Sequence, residues 1–327
     1  MKRVLVTGAL GQIGTELVGA LEARPETELV VASDIRVPSR GTSLGSGPFE
    51  QLDCTHERRL ERIVERHRID TVFHLAALLS AVAEEKPQVA WRINMEGLYN
   101  VLETARGNGC AVFFPSSIGA FGGSTPTVRT PQVTIQRPST MYGITKLAGE
   151  LLCDYYHERF DLDTRGLRFP GLISHSAPPG GGTTDYAVEI FYSALRHEQY
   201  TSFLSAETRL DMMYMPDAIK ATIDLMTADA EGLENRNAYN VTAMNFTPEE
   251  LGAAIRRHLP GFRLDYDVDP TRQAIADSWP DSLDDSCARQ EWGWRPDYDL
   301  DTLTRDMLER LSERLGIPID PAASEVD

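Results

Sequence analysis

The sequence predicts an α/β fold in which a doubly wound parallel sheet carries a smaller, interleaved C-terminal domain. Short β-branched runs alternate with longer helical patterns through the first 170 residues, as they do in βαβ units. The alternation becomes irregular after Pro170, and prolines and glycines indicate a loop at residues 178–182. We expect a sheet domain at residues 1–172, with a return to it at about 212–242. Residues 173–211 and 243–316 would form the second domain, followed by a loose tail at 317–327.

The elements of the sheet domain follow from these runs in chain order. Apolar residues recur at helical spacing in two intervals between strands, and we expect these helix faces to cover the sheet. They are Ile13, Leu17 and Leu21 in the first interval and Leu147, Leu151 and Tyr155 in the later one. The run at residues 212–215, followed by a helix to about residue 228, indicates the return to the sheet. The strands are expected at residues 3–7, 28–33, 71–75, 112–116 and 164–169.

Size and charge narrow the functional classes. The chain has 327 residues, of which 42% are hydrophobic and 25% charged, as is typical of a globular protein with a substantial core. The 49 acidic residues outnumber the 32 basic ones, and a net charge of −17 repels phosphate backbones and anionic lipid headgroups. We therefore expect neither a nucleic-acid nor a membrane partner.

The cysteines and histidines favour a cytoplasmic protein that binds no metal. Four scattered cysteines form no C-x-x-C pair, so neither a disulfide framework nor a thiolate metal site is expected. None of the seven histidines stands in an H-E-x-x-H spacing. The N-terminus has no apolar run long enough for a signal peptide, and no later run approaches the length of a membrane span.

A glycine-rich turn follows the first predicted strand and opens a helix. Gly8, Gly11 and Gly14 form a G-x-x-G-x-x-G pattern that lets backbone amides approach a pyrophosphate, as in Rossmann dinucleotide-binding folds. Asp34 ends the second strand, about 20 residues further on. A carboxylate at this position accepts hydrogen bonds from the ribose hydroxyls and repels a 2′-phosphate. The combination predicts NAD as the cofactor, whereas Arg36 could instead bind the 2′-phosphate of NADP.

Further cofactor contacts are expected where the parallel strands end at one edge. Asp53 could bind an adenine amino group, although an ordinary loop aspartate explains it equally well. Small residues after the strand at 71–75 would let the backbone lie against a dinucleotide, and core packing is the alternative explanation. Together with the residues named above, the predicted cofactor site comprises Gln12, Ile13, Ile35, Cys54, Leu75, Ala76, Ala77, Tyr142, Lys146 and Leu172.

Tyr142 and Lys146 carry the predicted chemistry. Four residues apart in a helical pattern, they place a phenol and an ammonium group on one face, so that the cation lowers the pKa of the phenol and makes it a base. Ser117, beside Ser116 at a strand end, would donate a hydrogen bond to the reacting oxygen. A core tyrosine beside a snorkelling lysine has the same spacing, but the position after a glycine turn favours catalysis.

These motifs resemble the extended short-chain dehydrogenase/reductase family, which combines the glycine turn with a Ser, Tyr and Lys triad. Asn94 falls where that family keeps an asparagine that holds a water in a proton relay to the lysine. More narrowly, residues 178–191, 212–218, 239–248 and 273–280 are similar to the NAD-dependent, zinc-independent L-threonine 3-dehydrogenases of the family. Asp211 departs from the apolar residue or proline expected at its position.

The resemblance implies oxidation of L-threonine at C3 with NAD, giving 2-amino-3-oxobutyrate in threonine catabolism. Two alternatives remain. A nucleotide-sugar epimerase or dehydratase uses the same triad but needs basic residues for a diphosphate, and residues 178–192 contain no Lys or Arg. An NAD-sensing regulator usually lacks the tyrosine or the lysine. The substrate contacts implied by the resemblance are Ser80, Ser117, Tyr142, Thr183, Thr184 and Asp185.

The resemblance also implies a homodimer. Family members commonly pair the helices that correspond here to residues 88–106 and 139–160 into a four-helix bundle. These helices carry more apolar residues than one sheet face needs. The apolar positions expected at the interface are Leu98, Val101, Leu102, Leu152 and Tyr156.

Overall fold

The computed structural model describes residues 1–39, 44–176 and 182–319. Part of the predicted loop, residues 178–181, and residues 320–327 of the predicted tail lie outside the described residues. Within the described part, the strands are β1 (Arg3–Thr7), β2 (Leu29–Asp34), β3 (Phe49–Gln51), β4 (Thr71–His74), β5 (Ala111–Ser117), β6 (Thr164–Phe169), β7 (Gly171–Ile173), β8 (Gln199–Ser202), β9 (Leu210–Tyr214), β10 (Asn237–Asn240), β11 (Met244–Phe246) and β12 (Arg263–Tyr266).

The helices lie between these strands and at the C-terminal end. Three short 3₁₀ turns, at Ile118–Ala120, Thr183–Asp185 and Ala230–Gly232, and a π-helical turn at Arg92–Glu96 interrupt the regular pattern. No helix in the described ranges is long and apolar enough to cross a bilayer. The α-helices are α1 (Gln12–Glu22), α2 (Glu57–His67), α3 (Ser80–Glu85), α4 (Pro87–Trp91), α5 (Gly97–Asn108), α6 (Met141–Phe160), α7 (Tyr186–His197), α8 (Met215–Thr227), α9 (Pro248–Arg256), α10 (Pro270–Ala276), α11 (Ser286–Glu291) and α12 (Leu300–Leu315).

A parallel sheet of seven strands forms the centre, in the order β10-β6-β5-β4-β1-β2-β3. This confirms the predicted α/β class, and the predicted strands match β1, β2, β4, β5 and β6 to within two residues. The chain reverses its direction of winding between β1 and β4, so the carboxyl ends of these strands open a crevice for a ligand. The edge strands β3 and β10 escaped the sequence pattern because they are short and half polar, FEQ and NAYN.

Two apolar cores cover the two faces of this sheet. Helices α1 and α8 pack on one face, whereas α2, α5 and α6 pack on the other. The strands read as nearly continuous buried runs because both faces are covered. A third core lies beyond the sheet and is built mainly from α7, α9 and α12. The crevice at the carboxyl edge therefore has the central sheet on one side and this third core on the other.

The strand predicted at residues 212–215 does not join the central sheet. Residues 210–214 form β9, which pairs with β7 and β11 in a separate three-stranded sheet. The edge of the central sheet beside β6 is occupied by β10, so the chain that leaves β6 at Pro170 pairs with β9 instead. From the predicted return at 212–242, the central sheet receives α8 and β10.

The prediction of which face of α6 covers the sheet is also wrong. Leu151 and Tyr155 are 60% and 53% exposed, and Leu147 is half-buried. The face that packs on the sheet instead presents Gly149 and Cys153, with smaller side chains. Both faces of this helix are apolar, so the spacing identifies a helix but not the side that is buried.

Asp211, the departure noted in the sequence, is fully buried in β9. Its carboxylate accepts hydrogen bonds from the Thr242 hydroxyl and, at 2.9 Å, from the Leu283 amide. It therefore ties β9 to two segments that follow it in the chain. Burial raises the pKa of Asp211 from an ordinary 3.8 to about 8, with a further upward contribution from Asp285.

We predict that Asp211 makes the stability of the fold pH-dependent. Because its folded pKa is raised, the stabilisation is fully present below about pH 4 and is lost as the pH rises through about 8. Asp211→Asn keeps the shape but cannot ionise, so its melting temperature should decline less between about pH 5 and pH 9. Calorimetry of this variant and of Asp267→Asn, an exposed control, tests the prediction. Identical pH slopes in all three proteins would contradict it.

Candidate active site

The glycine turn packs closely against the end of β4. Gly8 has a φ of +68°, and a Cβ atom there would lie 2.8 Å from the amide nitrogen of Ala76. A Cβ at Gly14 would lie 2.5 Å from the carbonyl oxygen of Gly8. Gly11 is the N-cap residue of α1 and brings no side chain to the first turn of the helix. Without side chains in the turn, a ligand can come close to the backbone amides, and this fits the pyrophosphate of a dinucleotide.

Asp34 lies at the carboxyl end of β2, beside this turn. Its buried carboxylate accepts hydrogen bonds from the Leu10 amide at 3.1 Å and from the Arg36 amide at 3.0 Å. The exposed Arg36 guanidinium also binds it, with its Nε at 3.1 Å. The carboxylate holds the neighbouring cation in place. Ile35, between them, is exposed.

The remaining predicted cofactor residues line the same edge. Asp53 accepts hydrogen bonds from the amide and hydroxyl of Thr55, at 2.9 and 2.7 Å, so it forms the loop turn before α2. Burial raises the pKa of the Cys54 thiol to about 12, so this thiol stays neutral. The Ala76 amide donates to the Thr7 hydroxyl at 3.3 Å. This bond fixes the segment of Leu75, Ala76 and Ala77 against β1.

Ser117 and Tyr142 are brought together across Gly119. Ser117 ends β5, and Tyr142 is the second residue of α6, whose N-cap Thr140 accepts a hydrogen bond from the Gly143 amide at 3.1 Å. A Cβ added to Gly119 would lie 3.2 Å from the Tyr142 ring and 3.5 Å from the Ser117 hydroxyl oxygen. The two hydroxyl-bearing side chains therefore lie close to the same glycine.

Lys146 lies one turn beyond Tyr142 and is 5% exposed. Its Nζ donates to the Pro115 carbonyl oxygen at 2.5 Å and stands 5.5 Å from the centre of the Tyr142 ring. It also lies 4.9 Å from the centre of the Phe114 ring, a favourable cation–π contact. Burial lowers the pKa of Lys146 to about 8, and the carboxylate of Glu150 opposes this shift.

The pKa of Tyr142 differs from the expectation. Burial raises it, and the Ser117 side chain only partly offsets the rise. The sequence analysis expected the cation of Lys146 to lower this pKa, whereas in the protein by itself burial is the larger effect and raises it. Formation of the phenolate at moderate pH needs further positive charge in the crevice.

Asn94 connects the π-helical turn to the catalytic helix. Its Oδ1 accepts from the Leu78 amide at 2.8 Å, and its Nδ2 donates to the Thr145 hydroxyl oxygen at 3.0 Å. Thr145 in turn donates to the carbonyl oxygen of Tyr142 at 2.9 Å. Asn94 therefore reaches the helix between Tyr142 and Lys146 through Thr145, which the sequence reasoning missed although it lies within the Y-x-x-x-K motif.

The predicted substrate residues come from two segments. Ser80 is the buried first residue of α3, which packs against α6. In the turn at Thr183–Asp185, the Asp185 carboxylate accepts from the Gly182 amide at 2.7 Å. A Cβ at Gly171 would lie 2.7 Å from the Thr184 methyl carbon, so the turn sits directly on β7, which contains Leu172. The turn and the carboxyl edge of the sheet thus adjoin.

Three buried charged or titratable groups near the site escaped the sequence reasoning. His74 ends β4 and contacts the Thr7 hydroxyl oxygen through Nδ1 at 3.0 Å. Burial, with a contribution from Lys146, lowers the pKa of His74 to about 3, so it stays neutral. Glu150 and Arg168 form a buried ion pair at 2.8 Å. No cluster of metal-binding side chains occurs within the described ranges.

The fold and the site together define a dinucleotide-binding protein of the short-chain dehydrogenase/reductase type. The chain belongs to the NAD dependent epimerase/dehydratase family, whose model matches residues 4–242. A nicotinamide cofactor is implied by this membership. The crevice residues fit such a group, because the glycine turn and Asp34 offer the backbone approach and the carboxylate that a dinucleotide needs.

Known proteins resemble the chain over nearly its whole length. An uncharacterised epimerase/dehydratase of Staphylococcus saprophyticus is 58% identical, covering 95% of this chain and 97% of the relative. The solved L-threonine dehydrogenase of Clostridium difficile is 55% identical with a TM-score of 0.94, covering 97% and 99%. The GalE-like L-threonine dehydrogenase of Cupriavidus necator, in its holo form, is 51% identical with a TM-score of 0.91, covering 94% and 99%.

We predict that Asp34→Ala relaxes the preference for NAD by two effects. It removes the carboxylate that would repel a 2′-phosphate, and it releases Arg36, which can then pair with that phosphate. The ratio of the dissociation constants for NADP and NAD, measured by calorimetry, should fall by about tenfold or more, which corresponds to about 1.4 kcal/mol.

The double variant Asp34→Ala/Arg36→Ala separates the two effects. Because it lacks the released cation, it should bind NADP more weakly than Asp34→Ala does. Tighter binding of NADP than of NAD by the unmodified protein would contradict the assignment of Asp34.

Proposed function

We propose that the protein is an NAD-dependent L-threonine 3-dehydrogenase, which oxidises L-threonine at C3 to 2-amino-3-oxobutyrate. The observation that carries the proposal is the pairing of Ser117 and Tyr142 across Gly119, with the buried Lys146 one turn away. The solved relatives described above support this substrate, because two of them, at 55% and 51% identity, are L-threonine dehydrogenases.

Several segments at the carboxyl edge would hold the cofactor. The amides after Gly8 and Gly11 would bind the pyrophosphate, Asp34 the adenosine ribose, and Ala76 and Leu172 would line the remaining length. When bound, NAD supplies a hydride acceptor and a positive charge. The residues named in the sequence analysis at this edge keep the cofactor roles predicted for them, including Asp53, whose carboxylate also serves the turn at Thr55.

The side chains of the cluster divide the proton chemistry between them. Tyr142, as phenolate, accepts the proton of the C3 hydroxyl while the hydride leaves C3. Ser117 donates a hydrogen bond to the same oxygen and holds it in place. Lys146 stabilises the phenolate through its charge, and Asn94 with Thr145 holds the helix that carries both residues. Removal of water from this pocket strengthens each of these interactions.

The substrate would lie between α3 and the turn at Thr183–Asp185. Amides and hydroxyls of Thr183 and Thr184 suit a carboxylate, and Asp185 suits an ammonium group. Ser80 lies on the opposite side, at the start of α3. These groups recognise a small zwitterion, as L-threonine is. An absorbance assay tests this directly. L-Threonine added to the protein and NAD should produce NADH, which is followed by its ultraviolet absorbance.

The competing function is that of a nucleotide-sugar epimerase or dehydratase, which the name of the curated staphylococcal relative leaves open. Such a substrate carries a diphosphate, which basic side chains would bind. The sequence contains no Lys or Arg at residues 178–192. Steady-state assays with L-threonine and with a panel of UDP-sugars decide between the two. NADH formation with L-threonine and no turnover of any UDP-sugar supports the proposal. Turnover of a UDP-sugar together with no oxidation of L-threonine would overturn it.

We predict that Tyr142→Phe abolishes most of the activity while the protein still folds and binds NAD. The substitution removes one oxygen and keeps the ring, so only the proton acceptor is lost. Loss of a general base lowers kcat by a factor of about 10² to 10⁴. Tyr266→Phe, which removes the same oxygen from an exposed tyrosine on β12, is the matched control and should retain its activity. Normal threonine oxidation by Tyr142→Phe would show that another group is the base.

We also propose a homodimer formed by α5 and α6, with a corrected set of contact residues. Leu98, Val101, Leu102 and Tyr156, which the sequence analysis placed at the interface, are buried inside the single chain, and Leu152 is half-buried. The four buried side chains belong to the core beneath these helices, and Leu152 packs against that core from its edge. The exposed apolar side chains on the outer face are instead Tyr99, Leu151 and Tyr155.

Light scattering at micromolar concentration should give the mass of two chains for the unmodified protein. Leu151→Asp places a charge on the proposed interface and should shift the mass to that of one chain, because an unpaired charge is costly to bury. Val133→Asp, at another exposed apolar position, is the control and should leave the mass unchanged. A single-chain mass for the unmodified protein would contradict the proposal.

A further inference from the structure

A buried ion pair lies one helical turn beyond Lys146. Glu150, on α6, accepts from the Arg168 guanidinium at both oxygens, with Nε at 3.1 Å and Nη2 at 2.8 Å. Both side chains are more than nine-tenths buried. This bidentate geometry is the strongest form of an arginine–carboxylate contact. The pair joins α6 to β6 directly beneath the catalytic lysine.

The same pair holds the strand that carries Ser117. The Ser116 hydroxyl donates to Glu150, so the residue next to Ser117 is bound to the helix of Tyr142 and Lys146. On the other side, Arg168 donates to the Gln132 carbonyl oxygen at 2.8 Å and to the Asn240 side chain at 3.1 Å. Glu150 therefore stands at the junction of β5, α6 and β6, and Arg168 extends that junction to β10.

We propose that Glu150, oriented by Arg168, is a positioning residue that keeps Lys146 in its charged form and fixes the end of β5 beside Tyr142. The inference rests on the proposed function in one respect only, namely that the charge of Lys146 has a role in oxidation. Stability alone is a weak reason for such a pair, since a buried ion pair is often no more stabilising than well-packed apolar side chains. Its position one turn from a buried cation gives it an electrostatic role.

The charged and titratable groups around Lys146 support this role. Tyr142, Glu150 and Cys153 lie on its own helix, and His74 faces it from β4. Burial holds the Cys153 thiol and the His74 ring in their neutral forms. Among these groups, Glu150 is therefore the one that supplies a negative charge to offset the desolvation of Lys146.

The other elements packed on α6 bring their acidic groups to positions away from the lysine. On α3, Glu84 accepts from the Met141 amide at the start of α6. On α5, Glu103 accepts from the Tyr156 hydroxyl near the other end. Asp154 lies on α6 itself, beyond Glu150, and burial raises its pKa. Arg168, on β6, is ion-paired with Glu150 and brings a positive charge that partly offsets the charge of this carboxylate.

Lysine NMR tests the inference directly. The chain has only four lysines, at positions 2, 86, 146 and 220, so ¹³Cε-labelled lysine gives few signals, and Lys146→Met assigns the one from Lys146. In the unmodified protein this signal should titrate near pH 8. In Glu150→Gln the midpoint should fall by about one pH unit or more, because the counter-charge is gone.

Three further variants control for charge and for folding. Glu150→Asp keeps the carboxylate and should restore most of the shift, whereas Glu158→Gln, an exposed change on the same helix, should leave the Lys146 signal unmoved. The other three lysine signals should superimpose in all variants. If Glu150→Gln does not fold, Glu150→Gln/Arg168→Met removes both buried charges and should shift the midpoint in the same direction by a smaller amount.

An unchanged Lys146 midpoint in the folded variants would overturn the inference. Kinetics provide the second measurement: in Glu150→Gln, kcat for threonine should fall above the new midpoint, while KM and NAD affinity change little. A purely structural role would lower activity equally at every pH without moving the lysine signal. If the unmodified protein does not oxidise threonine, the proposed function fails, but the NMR experiment still tests the inference by itself.

Discussion

A buried ammonium group at the carboxyl edge of the sheet is the constraint on which the site depends. Desolvation opposes the charge of Lys146, and an uncompensated cation in this position would lose its proton. The Pro115 carbonyl oxygen, the face of Phe114 and the Glu150 carboxylate compensate for the lost water. Each of them comes from β5 or α6, so the strand and the helix must keep one fixed relation for the lysine to remain charged.

This constraint explains why so much of the hydrogen bonding near the site is structural. Asn94 binds the loop after β4 and Thr145, and Thr145 binds the backbone of Tyr142. Thr140 caps the start of the same helix. Such bonds fix the backbone from which Tyr142 and Lys146 project, and preorganised groups need no reorganisation during a reaction. The π-helical turn around Asn94 is the local departure from regular geometry that makes the connection.

The fold was predictable, and candidate site residues could be named, because both depend on local patterns. Glycines at fixed spacing, a strand-end aspartate and a Y-x-x-x-K pair each place chemistry relative to one strand or one helical turn. The errors arose where tertiary contacts decide. Leu151 and Tyr155 have helical spacing on an exposed face, and β9 pairs with β7 because β10 already covers β6. Glu150 and Arg168 are 18 positions apart, and only the pairing of α6 with β6 brings their charges together.

The proposed catalytic cluster and the proposed substrate side belong to different parts of the packing. Tyr142, Lys146 and Ser117 stand on the central sheet and its helices, whereas the turn at Thr183–Asp185 leads into α7, which packs in the third core. The chain passes from one to the other at Pro170, where β6 ends and β7 begins. Because Ser117, Tyr142 and Lys146 lie on β5 and α6, a change of residue in the turn at Thr183–Asp185 leaves the elements that carry them in place. In the proposed mechanism, the same arrangement of serine, tyrosine and lysine is compatible with an amino acid or a nucleotide sugar, so the residues that face this cluster from β7 and the turn would decide which substrate is held against it.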